Sequence, residues 1–382
     1  MNIGIDLKSA VGEKTGKGFY AFNIAQNLLK IDSKNNYFIY APNKIAGFEH
    51  FKNCTFREIK SSGIFYHLKT AMTAKRDRVE IFLSPSSYIL PLFLSKKTRI
   101  ITTVHDLVAF LFKFHNKKAK IIEKICLKWT LKKSDTILAV SSSTKKDLLD
   151  HFKVEPKKIK VVYCSASEEF KPVNKEGLKD FIKKTNLPEK FFLSVGTLEP
   201  RKNHVNLIKA FAHISKKYSD QHLIIVGKEG WGFEEIYKEV ERNNLKNSVH
   251  FLGYLSGKSL VSLYNLAEAF VFPSIYEGFG IPPLEAMKCG CPVIVSNNSS
   301  LPEVVADAGI LVKPEDVNSI ALAMEKIIRT PELREEMIKK GLSQSKKFSW
   351  EKSSRVVLNL FQDLRGVKAI VNRAKISYSF LH

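Results

Sequence analysis

Two carboxylates, Glu277 and Glu285, stand eight residues apart in the run Pro273–Pro292, with Gly278, Phe279 and Gly280 between them. An apolar stretch, Ala269–Phe272, leads in, and Pro282-Pro283 then opens a helix that Gly290 closes. Proline suits a first helical turn, where N–H groups lack partners, and glycine suits the far end. The spacing therefore predicts strand, loop, helix, with Glu277 in the loop and Glu285 in the first helical turn. Phe279 and Gly280 can aim N–H groups at a ligand, and a helix N-terminus carries about half a positive charge that attracts phosphate. Carboxylates beside it accept hydrogen bonds from hydroxyls. A ligand with phosphate and polyol parts, such as a nucleotide sugar, fits both. Acids also favour first turns for dipole reasons alone, so Glu285 taken singly has a structural reading too.

Two cations form a second constellation. Arg201 and Lys202 follow an expected strand, Phe191–Val195, and precede a helix expected over Val205–Tyr218. Cations beside a helix N-terminus oppose its dipole. A bound anion would explain them: two cations can hold a diphosphate and neutralise it as it leaves. No acidic cluster suited to Mg²⁺ is visible, so the expectation is no metal and no cofactor. In the first half, His105-Asp106 ends the strand Arg99–Val104, a dipeptide uninformative by itself. Gly12, Gly16 and Gly18 separate a strand at residues 2–6 from a helix over Phe19–Leu29, which is phosphate-loop geometry or a plain strand–helix turn.

Strands alternate with helices through the rest of the chain: Tyr37–Tyr40, Val79–Leu83, Thr136–Val140, Ile159–Tyr163, Leu223–Gly227 and Val249–Gly253. That alternation predicts an α/β class with doubly wound parallel sheets, and 382 residues exceed what one core usually serves. Ser141–Thr144 caps a helix over Lys145–Phe152, and a last helix is expected over Glu351–Leu364, followed by a basic stretch without clear pattern. No period of repeats recurs. Apolar runs are too short to span a bilayer and residues near the start lack an apolar signal core, which points to a cytoplasmic protein. The five cysteines are scattered and suit packing rather than chemistry.

The net charge of +23 is uneven: residues 1–190 hold 36 Lys+Arg against 18 Asp+Glu, and residues 191–382 hold 25 against 20. A basic first half implies an anionic surface or partner. The segment 110–118 interleaves phenylalanines with lysines, which suits the headgroup region of an anionic membrane. The helix after it, Ala119–Lys133, reads as packed on the sheet with a solvated lysine face.

The run Glu-Gly-Phe-Gly-Ile-Pro-Pro-Leu-Glu-Ala at 277–286 closely resembles the Glu-x7-Glu motif of retaining glycosyltransferases of family 4. The form Glu-Pro-Arg-Lys-Asn at 199–203 is similar to that of a mannosyltransferase-like branch. The resemblance covers about residues 2–360 and implies a GT-B fold, two Rossmann-like domains facing across a cleft. Domains are expected at 1–170 for the acceptor and 171–350 for the nucleotide sugar, with a helix at 351–365 packing back on the first. It implies a metal-independent transferase moving a sugar from a nucleoside diphosphate, GDP-mannose first and a UDP-sugar next, to a glycan or lipid-linked acceptor of surface-polysaccharide synthesis, at the inner membrane face. By the same resemblance Gly16 and Gly18 approach the donor phosphate, His105 faces the donor sugar as a neutral imidazole, Arg201 and Lys202 hold the diphosphate, Glu277 with Gly278, Phe279 and Gly280 holds the sugar, and Glu285 holds the ribose. Asp106 is a weaker candidate for the base. Two departures stand out: Thr197 replaces the family's common first Arg, and Cys164–Glu168 replaces Asn-Gly-Val-Asp. Other classes consistent with the chain are a GT-B enzyme of different chemistry, such as a sugar-nucleotide epimerase or a phosphorylase, and a basic nucleic-acid-binding protein. The usual nucleic-acid modules are absent.

Overall fold

The computed structural model describes residues 1–12, 16–112, 117–185, 187–255 and 257–379, without the side chains of 117–122, 175 and 367–379. The chain divides into two compact units, Met1–Cys164 with Ser349–His382, and Ser165–Phe348.

In the first unit β1 (Asn2–Asp6), β2 (Asn36–Ala41), β3 (Cys54–Glu58), β4 (Ile81–Ser84), β5 (Arg99–Val104), β6 (Thr136–Ala139) and β7 (Ile159–Val161) form a parallel sheet in the order β3-β2-β1-β4-β5-β6-β7. Central strands are buried along nearly their whole length, as β1, β4 and β5 are, because helices cover both faces of such a sheet. The helices are α1 (Gly16–Ile31), α2 (Gly63–Arg76), α3 (Leu90–Phe93), α4 (Val108–Leu111), α5 (Lys117–Lys133) and α6 (Ser142–His151). Ser141 caps α6 by accepting from the Thr144 N–H.

The second unit repeats the plan. Its parallel sheet runs β10-β9-β8-β11-β12-β13, built from β8 (Phe191–Val195), β9 (His222–Val226), β10 (Val249–Phe251), β11 (Ala269–Phe272), β12 (Val293–Ser296) and β13 (Gly309–Val312). Around it lie α7 (Lys175–Thr185), α8 (His204–Lys217), α9 (Glu234–Arg242), α10 (Gly257–Leu266), α11 (Ile281–Lys288), α12 (Leu301–Val305), α13 (Val317–Arg329) and α14 (Pro331–Ser345). Phe192, Phe211, Ile225, Val271 and Met324 anchor a core between the sheet and α8, α9 and α13. The chain then returns to the first unit as α15 (Trp350–Ser379), which packs on α1 with Trp350 against Tyr20 and carries the buried Val357 and Phe361. This helix runs well past 365, so the basic stretch without pattern continues the helix as far as Ser379.

Each sheet changes winding direction once, between β1 and β4 in the first and between β8 and β11 in the second. At such a point the loops leaving adjacent strands diverge to opposite faces and leave a crevice at the carboxyl edge, where ligands of open α/β sheets bind. The residues of interest sit at these two edges.

Candidate active site

In the second unit, β8 and β11 bring together the two cations and the first acid. Pro200–Lys202 forms a single 3-10 turn after β8, and Asn203 follows in the left-handed region at φ 63°. Asn203 is buried and donates its amide to the carbonyls of Pro273 (3.0 Å) and Pro314 (2.6 Å), which fixes the turn on the sheet edge. The loop after β11 is stitched to that turn: the Ile275 N–H donates to the Arg201 carbonyl at 2.9 Å, and Arg201 donates to the Tyr276 carbonyl at 2.9 Å.

On this frame Glu277 is held three ways. Lys202 Nζ lies 2.6 Å from Oε1, Arg201 NH1 lies 2.9 Å from Oε2, and Ser274 Oγ donates to Oε1 at 2.7 Å. Arg201 is shared with Glu199 at 2.6 Å. Lys202 also sits over the Phe272 ring, 4.8 Å from its centroid. The lysine and the glutamate are only 11% and 12% exposed at the side chain, so the pair is largely dry. Burial alone would raise the Glu277 pKa, but the charges of Lys202 and Arg201 outweigh it and hold the carboxyl at about 2. Two cations and two carboxylates thus make a neutral set, which answers the dipole problem posed by the sequence: Glu277 and Glu199 supply the anion.

The backbone between the two acids is pinned from the turn that leads into α12. Ser300 Oγ reaches the carbonyls of Glu277 (2.9 Å) and Phe279 (2.6 Å), and Ser299 Oγ accepts from the Glu277 N–H at 3.1 Å. Phe279 is buried against Phe348, and Gly278 completes the turn. Gly280 caps α11 at φ 113°, a conformation that glycine adopts without strain. The helix opens at Ile281, so Glu285 is its fifth residue and stands in the second turn, not the first. It therefore serves no capping purpose. Its Oε2 accepts from Tyr264 at 3.1 Å, while burial, with the Glu169 charge adding, pushes its pKa up to about 7. A partly buried carboxyl with one neutral donor keeps unused acceptor capacity.

In the first unit His105 follows β5. Its Nε2 is 2.7 Å from the Pro85 carbonyl, and its ring meets Tyr20 edge-on at 4.9 Å. A carbonyl only accepts, so Nε2 carries the proton. Burial, followed by the Lys17 charge, lowers the pKa to about 4 and leaves the imidazole neutral near pH 7. Asp106 accepts from the Val108 N–H at 3.1 Å in the turn that leads into α4, a local task for a carboxylate. Gly18 is fixed by packing: a Cβ there would lie 2.1 Å from the Ser9 carbonyl oxygen. Gly16 meets no such restriction. Residues 13–15 of the glycine loop and 113–116 of the phenylalanine–lysine segment lie outside the described residues. Phe110 of that segment is not presented outward; it packs on Phe152 at 5.0 Å with Lys124 over its ring.

The structure thus gathers Arg201, Lys202, Glu277 and the Gly278–Gly280 turn at one sheet edge, with Glu285 on the helix that follows, and gathers His105, Asp106, Gly16 and Gly18 at the edge of the other sheet. Sequence reasoning missed Glu199, Ser274, Ser300 and Tyr264. A carboxylate two places before Arg201 was the one available signal; hydroxyls on short loops carry none. Among the described residues, no group of three or more His, Cys, Asp or Glu is placed to hold a metal ion, and no helix is long and apolar enough to cross a membrane.

Comparison with known proteins agrees with this architecture. Residues 177–344 match the family described as glycosyl transferases group 1, and residues 44–169 match glycosyltransferase family 4. The chain is 33% identical over 300 residues to the O-antigen chain mannosyltransferase B of Escherichia coli, covering 78% of each protein. It is 32% identical over 237 residues to the serotype-specific mannosyltransferase WbdA of Escherichia coli, across 61% of this chain but only 29% of that protein. Among solved structures, HepE of Anabaena in complex with UDP-glucose superposes with a TM-score of 0.76 at 16% identity, over 95% of this chain and 100% of that one. Two Rossmann-like units in one chain are the make-up of the GT-B fold, and the chain belongs to glycosyltransferase family 4.

Proposed function

We propose that this glycosyltransferase moves a sugar, with retention and without a metal, from a nucleoside-diphosphate donor to a hydroxyl of a glycan or lipid-linked acceptor in surface-polysaccharide synthesis. The observation that carries the reading is the ion set around Glu277. Arg201 and Lys202 hold a carboxylate where a diphosphate would fit, and a doubly charged diphosphate can take over both cations. Released from them, Glu277 turns to the hydroxyls of the sugar, while Glu285 accepts from the ribose. As the glycosidic bond breaks, the same cations neutralise the leaving diphosphate, the task a metal performs elsewhere. Neutral His105 adds no positive charge next to an electron-poor anomeric carbon.

GDP-mannose is the favoured donor because the relatives bear the name mannosyltransferase; a UDP-sugar is next, since HepE binds UDP-glucose. A lipid-linked acceptor suits the basic first half of the chain, whose excess of lysine would hold it at an anionic inner membrane face. Thermal shift and hydrolysis across a panel of nucleotide sugars test the reading. Stabilisation and turnover with GDP-mannose, both lowered at least tenfold in affinity by Lys202→Ala or Glu285→Ala, are expected; donor affinity unchanged in both variants would overturn it.

A further inference from the structure

Helix α2 is apolar on two sides. Its inner side, Tyr66, Ala71 and Ala74, packs into the core with Phe82 and Ile100. Its outer side carries Ile64 (46% exposed), Phe65 (65%) and Met72 (58%), which fall on one stripe at helical spacing. Helix α3 packs against both α2 and α5, so the three lie side by side on one face of the first sheet. There Phe93 on α3 and Ile125 and Trp129 on α5 continue the exposed apolar series, with Lys132 beside the Trp129 ring. Single exposed apolar residues need no explanation, but six large ones on three adjoining helices make a patch that does.

The charge around the patch decides what covers it. The exposed charged side chains on α2, on the turn after α3 and on the described part of α5 are all basic, among them Lys69, Lys96, Lys97 and Lys128. Protein interfaces are depleted in lysine. A helix face that mixes Trp, Phe and Leu-like residues with lysines is the composition of a segment lying in a headgroup layer, where each lysine gains from anionic lipid.

We propose that the outer face of α2, α3 and α5 docks on an anionic phospholipid bilayer, with Phe65, Met72 and Trp129 inserted among the acyl chains and the lysines on the phosphates. This rests on, and deepens, the reading of a membrane-borne acceptor. It relocates the contact from the 110–118 segment to helices whose side chains are seen to be exposed.

The test is co-sedimentation of the full chain with vesicles of phosphatidylglycerol and phosphatidylcholine, against phosphatidylcholine alone. Binding to the anionic vesicles only, weakened by salt, is expected. The triple variant Phe65→Ser, Met72→Ser, Trp129→Ser should lose binding by about tenfold or more, as should Lys128→Glu with Lys132→Glu, and brominated lipid should quench wild-type emission more than that of Trp129→Phe. Wild-type protein that ignores anionic vesicles, or a triple variant that binds as the wild type does, sinks the proposal. Should the wild type self-associate and the triple variant be monomeric without any effect of lipid, the face belongs to a second copy and the proposal fails. Nucleotide-sugar affinity without vesicles is read in parallel: a chain that docks but binds no donor contradicts the proposed function alone, and a chain that binds donor but not lipid contradicts this inference alone.

Discussion

Glu277 and Glu285 are the same residue type in two electrostatic settings, and pH separates them. Glu277 is held at about 2, below the usual carboxyl value, so its contribution to stability is complete above about pH 4.5 and is lost as pH falls toward 2. Replacing it by alanine leaves the largely buried Lys202 without its carboxylate, while Arg201 keeps Glu199. Glu277→Ala should lower stability by about 3–5 kcal/mol in chemical denaturation near neutral pH, and a nucleoside diphosphate should restore more of that loss than it adds to the wild type. Glu285, pushed up to about 7, has the opposite sign. Its ionised form is disfavoured in the folded chain, so wild-type stability should fall relative to Glu285→Gln as pH rises from about 5 to 8. Donor affinity should rise over the same interval, because the carboxylate is the form that accepts from two hydroxyls, and calorimetry should find that rise missing in Glu285→Gln. A pH-independent wild-type affinity would contradict the assignment. The spacing of these acids was legible because both stand in one strand–loop–helix segment. Their different environments were not, because Arg201, Lys202 and Tyr264 reach them from separate segments.

At the scale of elements, glycines mark where backbone must come close. A methyl group at Gly18 would meet the Ser9 carbonyl at 2.1 Å. Gly18→Ala should therefore cost about 1–3 kcal/mol and lower the thermal midpoint, whereas Gly16→Ala should be near neutral in the same melt. Comparable midpoints for the two variants would refute this account. The alternation of strands and helices was readable because central strands are short apolar runs between polar helices. Several elements escaped, among them β3, α2 and the end of α15. Strand β3 is an edge strand, half exposed, and Cys54-Thr-Phe-Arg-Glu58 shows neither an apolar run nor alternation. Helix α2 blurs its own period by carrying apolar residues on its outer side as well. The end of α15 shows no clear pattern although half of its residues are apolar; there the helix continues from a turn already formed, since propagation is easier than nucleation.

At the scale of the whole molecule, the first unit is assembled from both ends of the sequence, whereas the second is continuous. The first helix and the last are joined through Trp350 against Tyr20 and through Ser354, which donates to the Ile24 carbonyl at 3.3 Å. A chain ending at Phe348 should keep the melting of the second unit and lower that of the first, seen as a separate early transition in calorimetry with faster proteolysis within 1–164. Phe361→Ala, which empties a fully buried site, should reproduce this at about 3–5 kcal/mol. A single unchanged transition in either variant would show that α15 does not support the first unit.

The ion set around Glu277 has a bearing on the crowded interior of a cell. If Arg201 and Lys202 hold the donor diphosphate as proposed, Glu277 is a tethered counter-ion, and a passing chloride or inorganic phosphate must compete with a rival that never diffuses away. A chelating pyrophosphate group, engaging both cations together, overcomes that rival more readily than a single-point binder. Such a lock would screen out small salts and open for the intended cargo, and sugar transfer that slows in physiological phosphate would show that no lock exists.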